Sequence, residues 1–125
     1  MTTNNDKISI KRSKEGNTID FSFIDTSNND VAGHLMYDIN KKEKTAFIHS
    51  SYLFPEYRRK GILKRSIDNI LCDIKCEGAD TVKLHVLTDE AKEAWNKLGF
   101  FELKKTGDMG IDIFTKKCKC GIVKY

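Results

Sequence analysis

A basic loop, Arg58-Arg59-Lys60-Gly61, lies between a predicted strand and a predicted helix. The start of a helix leaves backbone N–H groups unpaired at the positive end of the helix dipole, and such a position binds anions, most naturally phosphate. Gly61 allows the backbone to approach a ligand closely, and the basic side chains add positive charge. A solvated basic loop is the alternative, and on this segment alone the two interpretations are equally well supported.

The strand before this loop is the last of four strands predicted for the first half of the chain. Alternating apolar and polar residues mark these strands at 8–11, 19–23, 31–39 and 45–53. Clusters rich in Gly, Asn, Asp, Ser and Lys predict short turns between them. Since short connections make neighbouring strands pair, an antiparallel meander is expected.

The second half of the chain alternates helices and strands. A helix is predicted from about Leu63, where apolar residues recur at helical spacing, to its end at Gly78. A strand at 82–86 follows, and this strand–helix–strand unit requires parallel pairing with the strand at 45–53.

A second helix is predicted to begin after the cap residue Thr88 and to end at Gly99. Strands at 100–103 and 111–114 follow, joined by a turn at 105–108. The buried stripe of this helix is predicted to consist of Ala91, Ala94, Trp95 and Leu98. The fold class is therefore α/β, in the order β-β-β-β-α-β-α-β-β, with a mixed, mostly antiparallel sheet and two main helices.

The composition fits one globular domain over residues 1–125, with 39% hydrophobic and 32% charged residues. The net charge of +4 suits an anionic ligand but is below the basic excess of a dedicated nucleic-acid binder. The polar N-terminus resembles no signal peptide, and no apolar run reaches the length of a membrane span. A soluble cytoplasmic protein is expected.

The four cysteines form no familiar metal-binding pattern. Cys72 and Cys76 fall on the first predicted helix, and Cys118 and Cys120 lie near the C-terminus. The spacings C-x3-C and C-x-C are not the common zinc-ligand spacings, and a chain without a secretory signal rarely carries disulfides. Free thiols are expected, with a metal site or a C-terminal redox pair as the alternative.

The basic loop also matches a known motif. Residues 55–63, PEYRRKGIL, resemble the pyrophosphate-binding motif of the GNAT family of N-acetyltransferases, Arg/Gln-x-x-Gly-x-Gly/Ala. Arg58 and Gly61 take its first two fixed positions, and Leu63 replaces the usual Gly or Ala.

A second segment makes the resemblance more specific. Residues 88–100, TDEAKEAWNKLGF, resemble the family's later signature, Asn-x-x-Ala-x-x-x-Tyr-x-x-x-Gly-Phe. Ala91, Gly99 and Phe100 match it, whereas Thr88 replaces Asn and Trp95 replaces Tyr. The resemblance covers about residues 31–115. The family's first two helices have no counterpart, because residues 12–18 and 25–30 are too short to hold them.

The resemblance implies a central parallel strand pair that splays around acetyl-CoA. The pantetheine arm of this co-substrate would pair with the edge of the earlier strand, and its pyrophosphate would lie at the basic loop. The residues implied to bind it are Leu53, Phe54, Arg58, Arg59, Lys60, Gly61, Ile62, Leu63, Thr88 and Trp95.

The implied reaction transfers an acetyl group from the thioester to a primary amine of a protein lysine, a protein N-terminus or a small molecule. An amine with a pKa of about 10.4 is almost entirely protonated at neutral pH, so a base must remove a proton. His49, where relatives often carry a water-activating Glu, is the candidate base, and a hydrogen-bonded strand histidine is the alternative. His85 is expected to contact a helix, and His34 has no motif support.

Other groups are implied to complete the site. Trp95 does not titrate, so Tyr52, Tyr57 or solvent would protonate the leaving thiolate. Acidic side chains that could attract a cationic amine are expected at Glu102, Asp108 and Asp112.

Two further hypotheses stay open. One is a catalytically weak acyl-CoA-binding sensor or interaction module, which the departures at Leu63, Thr88 and Trp95 motivate. The other is nucleic-acid binding, which lacks an aromatic platform and is disfavoured. Its basic residues would be Lys104, Lys105, Lys116, Lys117 and Lys119. The oligomeric state is left open.

Overall fold

Strands form in the first half of the chain where alternating apolar residues predict them. The computed structural model describes residues 7–104 and 107–113. Within these residues the elements are β1 (Ile8–Glu15), β2 (Thr18–Asp25), β3 (Asp30–Asn40), β4 (Thr45–Leu53), α1 (Ile62–Cys76), β5 (Thr81–His85), α2 (Asp89–Lys97), β6 (Phe101–Lys104) and β7 (Asp108–Asp112), with a 3₁₀ turn at Pro55–Tyr57.

The strands form one mixed sheet in the order β1-β2-β3-β4-β5-β7-β6. Strands β1 to β4 pair antiparallel in sequence order, which confirms the meander. Strands β4 and β5 pair parallel across α1, and β7 lies antiparallel between β5 and β6. Tight turns join β1 to β2 and β2 to β3, so the described chain has no α-helix before α1, as the short connections predict.

One face of this sheet carries the core. Residues directly opposite each other across paired strands share a face, and the pairs Phe21↔Leu35 and Ile48↔Leu84 are buried. Helix α1 packs its apolar stripe into the same cluster. The buried members of that stripe are Ile62, Ile67, Ile70, Leu71 and Ile74.

The opposite face is open to solvent in the described part of the chain. It carries polar and titratable side chains together with exposed aromatic ones such as Phe47 and Phe101, which are 42% and 51% exposed. His34, on β3, and His85, on β5, also lie on this outer face, since their strand neighbours on either side are buried or face the core. No helix among the described residues is long and apolar enough to cross a membrane.

The last strand differs from its prediction. It begins at Asp108, in the segment expected to be a turn, and ends at Asp112, whereas a strand was expected at 111–114. Phe114 lies outside the described residues. The shift occurs because Met109 and Ile111 are the inward residues that pair with Leu84 and Val82, so the strand forms where these side chains are buried.

The stripe of α2 is also narrower than predicted. Ala91, Trp95 and Leu98 are partly buried against the core, but Ala94 is exposed. Residues 91, 95 and 98 follow the i, i+4, i+7 spacing of one helix face, and Ala94 lies beside that face.

The expectation of free thiols is wrong at Cys72, which takes part in a disulfide. A disulfide requires two Cα atoms within about 7 Å of each other, a condition that sequence spacing does not reveal. Cys76 is exposed, and Cys118 and Cys120 lie outside the described residues.

A polar network ties the C-terminal half of α1 to the sheet. The buried Asp73 carboxylate accepts a hydrogen bond from the Tyr37 hydroxyl (2.8 Å) and lies 2.9 Å from Nε of Arg12. Glu77 accepts from Nη2 of Arg12 (2.6 Å) and from Nζ of Lys14 (2.8 Å). Burial, and then the bond to Asp73, raise the pKa of Tyr37, which therefore stays a donor. The network connects α1 to β1 and β3.

Glu77 makes stability depend on pH. The hydrogen bond from Lys14, assisted by the one from Arg12, lowers the pKa of Glu77 although partial burial opposes the shift. A group with a lowered folded-state pKa stabilises the protein above its unfolded pKa and loses that effect as the pH falls through the folded pKa.

We therefore expect Glu77→Gln to lower the free energy of unfolding by about 1.5 kcal/mol near neutral pH, since hydrogen bonds to charged groups contribute on that scale. The difference from the unmodified protein should vanish in acid, below the lowered pKa of Glu77. Urea unfolding at both pH values measures this. Glu15→Gln, at an exposed position of β1, is the control that should show no such loss. An equal loss at both pH values would contradict the electrostatic origin.

Candidate active site between the parted strands

Strands β4 and β5 pair over only part of their length. Their parallel register runs from Thr45↔Thr81 to Ile48↔Leu84, although β4 continues to Leu53. The β3–β4 register shifts at this point, since Met36 pairs with Ser50 but Tyr37 pairs with Ile48, which leaves His49 as a bulge residue. A bulge bends its strand and increases its twist, and it is common beside active sites. The strands part at His49.

A cavity of about 430 Å³ fills the gap between the parted strands. Strand β4 contributes its residues 48–52, and the end of β5 and the following segment contribute residues 84–88. Helix α2 closes one side with Ala91 and Trp95. His49 and His85 therefore line one cavity from its two strands.

A larger cavity of about 860 Å³ lies between the start of α1 and one side of α2. From the strand and loop it is lined by Leu53, Arg59, Gly61, Ile62, Leu63 and Lys64. From α2 it is lined by Glu90, Glu93, Ala94, Lys97 and Leu98. The sequence interpretation missed the α2 side, although Glu90, Ala94 and Lys97 follow the spacing of a helix face that could have indicated it.

The start of α1 faces this larger cavity with unpaired donors. Gly61 adopts the left-handed conformation (φ 74°) at the N-cap position and has no side chain to cap the helix. The N–H of Arg65 makes the first intrahelical bond, to the Gly61 carbonyl (3.0 Å). The N–H groups of Ile62, Leu63 and Lys64 precede that bond, so they are available to an anionic ligand.

Arg59 is the basic loop residue that lines the larger cavity. Its φ of 62° is left-handed, which is unusual for a residue with a side chain and is a form of strain found at functional sites. The other two basic residues turn elsewhere. Nε of Arg58 donates to the Leu53 carbonyl (2.8 Å), and Nζ of Lys60 lies 5.7 Å from the ring centre of Tyr57.

The structure separates the two residues of the predicted strand edge. The Phe54 N–H donates to the Ala32 carbonyl of β3 (2.8 Å), so this group is not on the open side. Backbone groups of successive strand residues point in opposite directions, so those of Leu53 face away from β3, toward the gap. The Phe54 ring stacks edge-on against Tyr52 (5.2 Å) and lines a separate small pocket near Val31.

The two residues implied on α2 have clear structural roles. Oγ1 of Thr88 accepts from the N–H of Ala91 (3.0 Å), which caps α2 as predicted. The Trp95 ring packs edge-on against Phe100 (4.9 Å) and also lines the smaller cavity.

Each histidine has its own polar partner. Nδ1 of His85 lies 3.1 Å from Oδ1 of Asp108, Nε2 of His49 lies 3.5 Å from Oδ2 of Asp38, and Nε2 of His34 lies 3.2 Å from Oγ of Ser50. The partner of His85 is thus a strand residue, Asp108, where a helix contact was expected.

Of the remaining residues predicted for the site, one lines the smaller cavity and others lie elsewhere. Tyr52 lines the smaller cavity, whereas the Tyr57 hydroxyl donates to Asp25 (2.9 Å) at the end of β2. Glu102 pairs with Lys92 of α2, and Asp112 is exposed on β7. Of the basic tail, Lys105, Lys116, Lys117 and Lys119 lie outside the described residues. Within residues 7–104 and 107–113, no group of three or more His, Cys, Asp or Glu side chains could hold a metal ion.

Solved acetyltransferase structures share this fold. A spermidine/spermine N-acetyltransferase from Vibrio cholerae superimposes with a TM-score of 0.69 at 14% identity, over 87% of this chain and 94% of that one. Nourseothricin acetyltransferase superimposes with a TM-score of 0.67 at 12% identity, over 86% of this chain and 85% of that one. A GNAT-family acetyltransferase from Desulfovibrio desulfuricans gives 0.65 at 12% identity, over 78% and 70%. No curated protein sequence matches significantly.

The sequence itself matches a family model. The model of the acetyltransferase (GNAT) family matches residues 4–100, which include the parted strands, the uncapped start of α1 and all of α2. The chain belongs to the GNAT acetyltransferase family.

Proposed function

We propose that this protein is an acetyl-CoA-dependent N-acetyltransferase that acts on a primary amine. The observation that carries the proposal is that two cavities lie next to each other along β4. Unpaired N–H groups at the start of α1 face one cavity, and the gap between β4 and β5 forms the other. Residues Leu53 and Tyr52, neighbours on β4, line the two cavities respectively.

The larger cavity suits the pyrophosphate of acetyl-CoA. Residues 62–64 offer backbone donors, and Arg59, Lys64 and Lys97 offer positive charge. Glu90 and Glu93 line the same cavity and oppose part of that charge. Binding by backbone groups explains why Leu63 can replace a smaller residue, because its N–H is unaffected by its side chain.

The gap beside β4 suits the pantetheine arm and the thioester. Leu53 presents backbone groups toward the gap, and its carbonyl already accepts from Arg58, so its N–H is the group we assign to the arm. Positioning an amine against the thioester in this cavity would supply much of the rate acceleration. His49 remains a candidate base there. Tyr52, a candidate to protonate the leaving thiolate, also lines this cavity.

An amine acceptor is supported by the structural relatives, since the similar enzyme from Vibrio cholerae is a spermidine/spermine N-acetyltransferase. The smaller cavity borders the outer face of the sheet, where His49 and His85 lie, so an acceptor can reach it from solvent. The open face admits small amines and lysine side chains alike.

A sensor that binds acyl-CoA without transfer is the second candidate. It is favoured by Trp95, which stands where the family signature has Tyr and cannot protonate a thiolate. Two assays distinguish these candidates. Calorimetry measures the binding of acetyl-CoA, and thiol release measures transfer to spermidine or to an unacetylated peptide that contains lysine. Tight binding without release on any amine would favour the sensor.

The first test of the site is Gly61→Glu. A carboxylate at the α1 start would repel the pyrophosphate, so acetyl-CoA affinity should fall by at least about tenfold, or about 1.4 kcal/mol. Calorimetry on the folded variant measures the loss. Unchanged affinity would remove the loop from the binding site.

Gly16→Glu is the matched control for this variant. Gly16 has a similar φ of 61° in the β1–β2 turn, and a Cβ there would meet nothing within 4 Å, whereas a Cβ at Gly61 would also displace the end of the flexible Arg65 side chain, 2.8 Å away at Nη1. Both variants carry the strain of a left-handed side chain, about 1–2 kcal/mol. Only Gly61→Glu should weaken acetyl-CoA binding.

The second test is Arg59→Gly, which should separate affinity from stability. Glycine adopts the left-handed conformation without strain, which offsets its entropic cost, so thermal stability should change little. Affinity for acetyl-CoA should fall by about fivefold to tenfold with the loss of one charged contact, and more at low salt.

Lys44→Gly is the control for Arg59→Gly. Lys44 is also left-handed (φ 54°), carries the same charge and lies in the β3–β4 turn, at the opposite end of β4 from the cavities. It should show the same small change in melting temperature and no change in affinity. Equal affinity losses in both variants would indicate a long-range charge effect instead of a contact.

A further inference from the structure

His85 and His49 occupy corresponding positions where β4 and β5 part. Each directly follows the last parallel pair, Ile48↔Leu84, and each lines the smaller cavity. The two imidazoles differ in how firmly their surroundings hold them, and this difference decides which one can serve as a base.

Asp108 fixes the proton of His85. Its Oδ1 lies 3.1 Å from Nδ1 of His85, and the two residues are direct cross-strand partners on β5 and β7. A carboxylate only accepts hydrogen bonds, so Nδ1 must carry the proton of the neutral ring. The lone pair is then on Nε2, the nitrogen not bound to Asp108.

Gly107 holds the ring from a second direction. A Cβ built on Gly107 would lie 3.1 Å from Cε1 and 3.5 Å from Nδ1 of His85, so the bare backbone packs against the imidazole. The N–H of Val86 donates to the Gly107 carbonyl (2.8 Å), which fixes this segment beside the end of β5. Asp108 and Gly107 together restrict the orientation of the His85 ring.

His49 is held less firmly. Its Nε2 is 3.5 Å from Oδ2 of Asp38, longer than the His85–Asp108 distance, and Oδ1 of that carboxylate also accepts from the Thr18 hydroxyl (2.6 Å). His49 is moreover the bulge residue of β4, without a direct partner in the β3–β4 register. In His49 the nitrogen nearest the carboxylate is Nε2. The nitrogen left to accept a proton is therefore Nδ1, which lies closer to the main chain.

We propose that His85 is the catalytic base of this enzyme and that Asp108 is its positioning residue; the inference rests on the proposed acetyltransferase function. Nε2 of His85 accepts a proton from the acceptor ammonium, and the amine nitrogen then attacks the thioester carbonyl. The C–N bond forms and the C–S bond breaks. The second amine proton passes to the thiolate sulfur directly or through water, and His85 returns its proton to solvent.

The charged and titratable neighbours of His85 come from each element around it. Asp108 of β7 bonds to it, His49 and Tyr52 of β4 line the cavity with it, and Lys83 lies two residues before it on β5. Helix α2 contributes the uncharged Ala91 and Trp95 to the cavity, with its cap residue Thr88.

The test compares His85→Gln with His49→Gln in the full chain, with acetyl-CoA and spermidine or a lysine peptide as substrates. We expect His85→Gln to lower kcat/KM by about 100-fold or more, the usual contribution of a general base. The part of the pH dependence of kcat/KM that arises from the base should disappear, and acetyl-CoA affinity by calorimetry should stay unchanged. His49→Gln should lose much less.

The role of Asp108 has a separate readout. Asp108→Ala should lower kcat by about tenfold with little change in KM, because the ring loses its fixed proton position. Asp108→Asn should retain more activity, since its amide oxygen still accepts from Nδ1. His34→Gln, on β3, is the control that should keep the activity of the unmodified protein.

The outcomes separate the two levels of the proposal. Activity of the unmodified protein together with undiminished activity of His85→Gln overturns the role of His85 alone. A larger loss in His49→Gln assigns the base to His49 and also overturns it. No thiol release by the unmodified protein with any amine refutes the acetyltransferase function and the base with it.

Discussion

The interrupted pairing of β4 with β5 is the constraint on which the site depends. Four parallel pairs, Thr45↔Thr81 to Ile48↔Leu84, hold the strands together, and the bulge at His49 then turns the rest of β4 away. A sheet with continuous pairing would have no gap here, because the edge of β4 beyond Ile48 would be bonded to a neighbouring strand. The parting instead creates the smaller cavity, presents one strand edge to a ligand, and places two histidines on opposite sides of the opening.

Stability and binding are assigned to opposite ends of α1. Its start is left with unpaired donors, a left-handed Gly61 and a strained Arg59, all of which a ligand can use but none of which stabilises the helix. Its C-terminal half is bonded to the sheet through Asp73, and its C-cap residue Glu77 adds further bonds; together they contact Tyr37, Arg12 and Lys14. The apolar stripe between the two ends is buried in the core. The helix can therefore keep its start open because the rest of it is fixed.

Sequence patterns predicted the strands, helices and caps that periodicity and motifs encode. They failed for side-chain directions and pairings that depend on tertiary contacts. The bounds of β4, the cap Thr88 and the order of elements followed from alternation, helical spacing and capping chemistry. The motif identified the loop, but it could not show that Arg58 turns back to the Leu53 carbonyl while Arg59 faces the cavity. Side-chain direction in a loop depends on φ angles such as that of Arg59, which residue type alone does not determine. The disulfide at Cys72 was missed because sequence spacing does not reveal which Cα atoms lie close together in the fold.

The displaced β7 explains why the carboxylate partner of His85 was not predicted. Asp108 was expected in a turn, where it would be an ordinary surface carboxylate, but the burial of Met109 and Ile111 draws it into the strand directly opposite His85. The start of β7 at Asp108, three residues before the predicted start at 111, thus turns an isolated histidine into a member of a histidine–carboxylate pair. The His85 side chain is 44% exposed, and this exposure suits its proposed role as the base. Each turnover of an amine acetylation releases a proton, and a buried base would need a relay to lose it. An imidazole at the open sheet face can pass its proton directly to water, while Asp108 and Gly107 keep its ring in place between turnovers.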